Sequence, residues 1–400
     1  FIRSVDLILL NDKIKKNISK EYSIINQKNR SNIFDRSNVL LATNIKSASI
    51  YANPKEIINK NEASIKLALV LDNKDLPEIQ KKLTSNKSFV WIKRQVSPKE
   101  HFEVNRLGIP GIKFQEEVKR VFPQEYLFSH VIGSVGVDNQ GLSGIEKKLN
   151  QRLLESKDSV FLTVDTRIQH ALRHELFLSM NRFNAIGAAG VIMNVNNGEI
   201  IGLVSLPDFN PNTKEKPSDD AAFSRVTLGS YEMGSTFKPF TVAAALQHQI
   251  IDLKDGYDAT KPLKVSRFII RDDHPKKRWL SVPEIFKYSS NIGMAQMAQD
   301  LGVDKQKDLL KKLGILDRSQ LELSEIGKPL IPKTWREINS MTISYGHGIA
   351  VNLLQVAKAY AILVNGGKKI YPTLLLNRSE YISEIYSNNE RVVSEETSKK

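Results

Sequence analysis

The segment Tyr231-Glu232-Met233-Gly234-Ser235-Thr236-Phe237-Lys238-Pro239-Phe240 sets a hydroxyl and an amine three residues apart. Gly234 permits a sharp turn, and Pro239 fits only the first turn of a helix, because deeper it would break the hydrogen-bond ladder. The Ala-rich run Thr241-Val242-Ala243-Ala244-Ala245-Leu246 continues that helix and reads as buried. Ser235 therefore stands at the helix N-terminus, with Lys238 one turn later on the same face. A serine hydroxyl is a poor nucleophile until a base takes its proton. Lysine is such a base when burial and nearby positive charge lower its pKa enough to populate the amine. The Ser235 N–H, at the positive end of the helix, also suits an oxyanion. The competing reading is an N-capping serine followed by a surface lysine, and the Ser-x-x-Lys spacing alone fits both.

A second polar cluster is Ser289-Ser290-Asn291. Ser281-Val282-Pro283-Glu284 is a capping box that starts a helix to about Tyr288, and Ile292–Ala298 carries a second helical pattern. The cluster lies at the junction, where Ser289 can relay a proton and Asn291 can hold a substrate carbonyl or amide. Local side-chain to backbone bonds at a helix break are the alternative. His170 and His174 have the i, i+4 spacing of metal ligands, but Ala171 stands where a zincin has its glutamate, so an exposed helix face is expected and no metal. His347, within Ser344-Tyr345-Gly346-His347-Gly348, sits in a tight loop and suits either a cleft or a structural role. The pair Asp272-Asp273 has no partner motif, and phosphate-cradling glycine loops are absent.

The elements that must carry these residues read as α+β. Residues 33–53 are expected as short strands broken by Ser/Asn turns. Residues 54–85 are expected as helix, opened by Pro54, with Leu67, Leu69, Leu71 and Leu76 supplying apolar faces. A strand at Phe89-Val90-Trp91-Ile92 precedes helical and loop segments through Arg120. Gly133, Gly136, Gly141 and Gly144 predict a loop. Val160–Val164 reads as a strand, and Thr166 with Gln169 as a capping box opening a helix to about Asn181. Ala188–Val195 and Glu199–Ser205, joined by Asn196-Asn197-Gly198, predict a hairpin. Asn352 and Gln355 open a core helix that Asn365-Gly366-Gly367 closes.

Composition frames the rest. Of 400 residues, 58 are Lys or Arg and 44 Asp or Glu, giving +14, and 41% are hydrophobic. That is globular and excludes a disordered or collagen-like chain. Without cysteine there are no disulfides, thiolate metal sites or cysteine nucleophiles. The basic residues fall in separate short runs without interleaved aromatics, so solvated surface is expected rather than a nucleic-acid platform. The chain starts at Phe1, reads as trimmed or processed, and holds no run near the ~18 apolar residues of a membrane span. Residues 1–30 are polar, expected as one helix or a strand leading from an anchor.

In order along the chain, these segments resemble the class B penicillin-binding proteins, the peptidoglycan DD-transpeptidases of the bacterial envelope. Ile33-Phe34-Asp35-Arg36, Gly108-Ile109-Pro110-Gly111, Lys119-Arg120-Val121-Phe122-Pro123 and Gly141-Leu142-Ser143-Gly144-Ile145-Glu146 look like the family's pedestal signatures. Ser235–Lys238 matches its S-x-x-K motif, Ser289–Asn291 its S-x-N motif, and Tyr345-Gly346-His347-Gly348 its glycine loop. Ser-Ser-Asn and Gly-Leu-Ser-Gly-Ile-Glu look more like the division-type (FtsI-like) branch. The resemblance implies a serine-transpeptidase fold, a mixed sheet with helices, after an elongated N-terminal pedestal. Residues 1–155 would be that dimerisation-type pedestal and 156–400 a C-terminally incomplete transpeptidase domain.

It further implies septal cross-linking of stem peptides through an acyl-Ser235, with Lys238 as base, Ser289 as relay and Asn291 positioning the donor. Tyr345, Gly346, His347 and Gly348 would line the substrate cleft, and no cofactor is implied. Implied partners are stem peptides and lipid-linked precursor, beta-lactams, a membrane glycan polymerase and division proteins. The implied location is the inner membrane, single-pass with its anchor outside this sequence, and the catalytic domain periplasmic. Three departures stand out. Met233 replaces the usual proline, Glu146 to Thr163 is short, and Lys333-Thr334 is followed by Trp335, so the third motif, Lys-Thr/Ser-Gly, is expected to be cropped or lost. A non-catalytic division scaffold of the same fold and a serine beta-lactamase are the alternatives.

Overall fold

The computed structural model describes residues 29–71, 76–213, 215–376 and 390–400. Most of the polar N-terminal stretch, residues 1–28, lies outside the described residues.

Among the described residues, one compact unit comprises 29–30, 44–71, 76–120 and 137–139. Its core joins Ile50, Leu67, Leu71, Ile79, Leu83 and Ile92. The strand Leu40–Ala52 is a single element of 13 residues, not the short strands expected from its Ser and Asn content. Those side chains have partners that keep the chain extended: Ser47 Oγ donates to the Val96 carbonyl and Ser49 Oγ to Glu117. Pro54 lies in a turn rather than opening a helix. The helix Lys60–Val70 starts instead at Asn59, whose side chain accepts the Glu62 N–H at 3.1 Å. Leu67 and Leu71 face the core, whereas Leu69 is 77% exposed. The strand Ile112–Val121 was not expected, and its inward residues explain why. They are Glu117 and Arg120, so the two-residue apolar period is absent. Glu117 is buried because Arg94 Nη2, at 2.7 Å, neutralises it.

The other unit comprises, among the described residues, 31–43, 121–136, 140–213, 215–376 and 390–400. Here Ile33–Phe34 pairs antiparallel with Leu40 and Ala42 and parallel with Val160–Phe161, so the pairing is mixed. Asp35 is fully buried and organises this corner. One carboxylate oxygen accepts the N–H groups of Ser37 and Val39, and the other accepts the N–H and hydroxyl of Thr166. The helix that follows, Thr166–Arg182, is capped by Asp165, whose carboxylate accepts the Arg167 N–H. The anticipated Thr166–Gln169 box does not form. Gln169 turns inward and bonds the carbonyls of Leu127 and Leu203.

The hairpin pairs Ala188–Met193 with Ile200–Leu206, in register from Ala188↔Leu206 to Ile192↔Gly202 and shifted at Met193↔Ile200. The helices Thr166–Arg182 and Leu353–Val364 pack on it. A second core, including Phe237, Phe240, Leu309, Ile343 and Ile362, surrounds the start of the helix Lys238–Gln247. A third, including Ala245, Ile285, Met294 and Tyr345, lies between that helix and Asn291–Leu301. Two buried helices thus present their N-terminal ends to one another. The helix Leu353–Val364 has the expected Asn352/Gln355 capping box, though Val364 at its end is 61% exposed. Among the described residues no helix is long and apolar enough to cross a membrane.

Candidate active site

Ser235 and Lys238 are presented by a short 3-10 turn, Gly234–Phe237, that runs into the helix Lys238–Gln247. Apolar packing holds the turn. Phe237 and Phe240 are both 1% exposed and meet edge to face at 5.0 Å, and Tyr360 donates its hydroxyl to the Thr236 carbonyl at 2.7 Å. Pro239 falls in the first helical turn, as expected. Ser235 is exposed, whereas Lys238 is only 1% exposed.

Ser289, the residue before the cap of the next helix, has φ +57°, the left-handed region that a residue with a Cβ rarely occupies. That conformation turns its hydroxyl and its carbonyl toward the same amine. Lys238 Nζ lies 2.7 Å from Ser289 Oγ, 2.6 Å from the Ser289 carbonyl oxygen, 2.8 Å from Asn291 Oδ1 and 3.2 Å from Ser235 Oγ. The two hydroxyls are themselves 2.8 Å apart. Ser235, Lys238 and Ser289 form a closed triangle.

The proton inventory of this triangle is informative. The Ser289 carbonyl and the Asn291 amide oxygen only accept, so they require two N–H bonds from Lys238. The remaining two neighbours are hydroxyls, which either donate or accept. The cradle therefore satisfies an ammonium and an amine equally well. Burial pulls the Lys238 pKa down to about 8, while the carboxylates of Asp272 and Asp273 act in the opposite direction. The lowered pKa enlarges the share of free amine held at hydrogen-bonding distance from Ser235 near neutral pH. This is the arrangement a general base needs.

The loop Tyr345-Gly346-His347-Gly348 borders the same turn. Tyr231 and Val351 exchange backbone hydrogen bonds of 2.9 and 3.0 Å, and Gly234 N–H reaches the Gly346 carbonyl at 3.3 Å. Gly346 has φ +86°, and a Cβ there would overlap the Gly234 carbonyl oxygen. Its absent side chain is what lets the two backbones meet. Tyr345 is 8% exposed within the core, and burial raises its pKa. His347 and Gly348 are exposed. Glu232 accepts the Gly348 N–H at 2.9 Å and meets His347 Nδ1 at 3.0 Å, and these contacts, His347 first, hold its pKa below the usual carboxylate value.

Sequence reasoning passed over Glu232 and Asp272. The pair Asp272-Asp273 has no partner motif in the sequence, yet Asp272 accepts the Ser290 hydroxyl at 2.8 Å and the Ile292 N–H at 2.9 Å. Spacing along the chain could not reveal an acceptor eighteen residues upstream of Ser290. Elsewhere, His170 and His174 are exposed, and among the described residues no cluster has a metal-binding donor set. Lys333-Thr334 lies in the irregular stretch before the helix Glu337–Ile343, and Trp335 packs at the edge of the second core.

An α+β unit with Ser-x-x-Lys opening one buried helix and Ser-x-Asn opening another defines the penicillin-recognising serine fold. The family model described as the penicillin binding protein transpeptidase domain matches residues 188–400, and the penicillin-binding protein dimerisation domain matches 25–172. The chain belongs to the penicillin-binding protein transpeptidase family, in its class B, FtsI-like form. It is 32% identical over 343 residues to the probable peptidoglycan D,D-transpeptidase FtsI of Caulobacter vibrioides, covering 85% of this chain and 58% of the relative. It is 30% identical over 371 residues to the probable peptidoglycan D,D-transpeptidase PenA of Neisseria meningitidis, covering 84% and 63%. The stage V sporulation protein D of Bacillus subtilis is 29% identical over 419 residues, covering 92% and 64%. The chain thus spans about three fifths of the length of these relatives.

Proposed function

We propose that this chain carries the acyl-transfer site of a peptidoglycan D,D-transpeptidase, and that Ser235, Lys238, Ser289 and Asn291 are its working residues. The observation that carries the reading is the closed Ser235–Lys238–Ser289 triangle around an amine whose pKa lies near 8. Lys238 takes the hydroxyl proton as Ser235 Oγ bonds to the carbonyl carbon of the penultimate D-Ala. The peptide C–N bond then breaks. The proton passes from Lys238 through Ser289 to the departing nitrogen, and the last D-Ala leaves. An amine of a neighbouring stem peptide next attacks the ester, its proton returns by the same route, and Ser235 regains its hydroxyl as the new amide forms. Asn291, with its amide oxygen held by Lys238 and its Nδ2 donating to the Arg271 carbonyl at 3.1 Å, positions the donor peptide. His347 and Gly348 form the exposed part of the facing rim, with Tyr345 and Gly346 buried behind them. No step calls on a cofactor.

Residues 1–155 act in this reading as the pedestal and 156–400 as the transfer domain. Septal work, an inner-membrane anchor with a periplasmic transfer domain, lipid-linked precursor and a glycan polymerase partner are the corresponding setting. Relatives named FtsI favour septal work. The test is labelling of the intact protein by a fluorescent penicillin. Wild type should form a stable adduct that Ser235→Ala abolishes. No adduct in the folded wild type would instead identify a scaffold, and rapid release of hydrolysed drug a lactamase.

A further inference from the structure

Two carboxylates outside the Ser235–Lys238 triangle belong to the segment Arg271-Asp272-Asp273, just beyond the strand Phe268–Ile270. Asp272 is half-buried and Asp273 exposed. Asp272 spans the cap of the helix Asn291–Leu301: one oxygen accepts the Ser290 hydroxyl, and the other accepts the Ile292 N–H. Ser290 is 1% exposed and also caps Gly293 N–H at 3.0 Å. The Arg271 carbonyl adds a third tie through Asn291 Nδ2. The residues on either side of Ser290 are Ser289 and Asn291, which provide three of the four groups around Lys238 Nζ.

We infer that Asp272 is a positioning residue for the base: it pins the turn that cradles Lys238 and directs negative charge at the amine. This rests on the reading of Ser235 and Lys238 given above. The two functions of the carboxylate separate by chemistry. Its hydrogen bonds hold Ser289 in the left-handed conformation that brings hydroxyl and carbonyl to the amine. Its charge favours the ammonium and opposes the effect of burial, with Asp273 adding in the same sense. The other elements around Lys238 offer it neutral groups. These are Ser289 and Asn291 from the start of the helix Asn291–Leu301 and Ser235 from its own turn, while the imidazole of His347 is engaged with Glu232.

The experiment measures the single-turnover rate of acylation of the intact protein by a fluorescent penicillin from pH 6 to 10. In wild type the rate should rise with pH around a midpoint near 8. Asp272→Asn keeps an acceptor for Ile292 but removes the charge. Its midpoint should move to lower pH, and its plateau should fall by roughly ten- to a hundred-fold as the turn loosens. Asp273→Asn should move the midpoint in the same direction with the plateau kept. Ser290→Ala cuts one bond to Asp272 and leaves the charge, so its plateau should fall at an unchanged midpoint. The proposal is overturned if Asp272→Asn leaves midpoint and plateau at wild-type values. If that variant does not fold, a wild-type plateau in Ser290→Ala overturns it equally. Wild type that is never acylated would sink the functional reading instead, a result distinct from either.

Discussion

Burial lowers the pKa of both Lys238 and Lys358 to about 8, in entirely different surroundings. Lys238 opens its helix with hydroxyls, a carbonyl and an amide oxygen around Nζ. Lys358 lies inside the helix Leu353–Val364, with Nζ 5.3 Å from the centre of the Tyr371 ring. Burial lowers it first, and the neighbouring cation Lys369, itself 5.9 Å from the same ring, lowers it further. Among the described residues Lys358 makes no hydrogen bond to a hydroxyl. A lowered pKa therefore does not by itself make a base. The amine must also touch the proton it is to take, and only Lys238 does.

Substitution of each lysine sharpens the contrast. Lys238→Met should slow acylation of Ser235 by about a thousand-fold or more, because the hydroxyl loses its base. Lys358→Met should stay within about two-fold of wild type in the same stopped-flow assay. Comparable losses in both would break the comparison.

An intermediate effect is expected at Gly346, which presses the facing loop onto Gly234. Alanine there meets both a positive φ and the Gly234 carbonyl, so we expect a loss of about 2–3 kcal/mol in urea unfolding. Acylation should slow by about ten-fold as the nucleophile turn is pushed aside. Wild-type values for both would mean that the two backbones separate freely.

The smallest effect concerns stability. A folded-state pKa near 8 lies below the ~10.4 of a free lysine, so the folded protein sheds the Lys358 proton first. Below pH 8 both states are protonated and the penalty of burying the ammonium is fully present. Stability then rises between pH 8 and about 10.4 as the penalty is relieved. Lys358→Met should gain about 1–2 kcal/mol at pH 7, after discounting for partial solvent contact, and flatten that rise. Unfolding curves at pH 7, 8.5 and 10 test it, and an unchanged slope would refute it.

Much of this was legible in the chain, where local chemistry decides structure. The hairpin around Asn196-Asn197-Gly198, the capping boxes at Ser281 and Asn352, and Pro239 in its first turn all follow from short-range rules. Elements failed to show where long-range partners override those rules. Glu117 and Arg120 hide the strand Ile112–Val121 because their partners, Arg94 for the first and the Arg30 carbonyl and Asn44 side chain for the second, lie far off in sequence. Gln169 leaves its expected cap for carbonyls across the fold. The same holds at the site. Ser235, Lys238, Ser289 and Asn291 could be singled out by type and spacing, but Asp272 and Glu232 become visible only once the chain is folded back on itself.

Ser289 carries one further implication. Holding a non-glycine residue at φ +57° costs about 1 kcal/mol, and glycine at that position would relieve it. Yet glycine would also delete the hydroxyl that bridges Lys238 and Ser235. The most comfortable residue for the backbone would thus remove a contact of Lys238, and the chain keeps a small, permanent distortion at the point where the Ser235, Lys238 and Ser289 side chains converge.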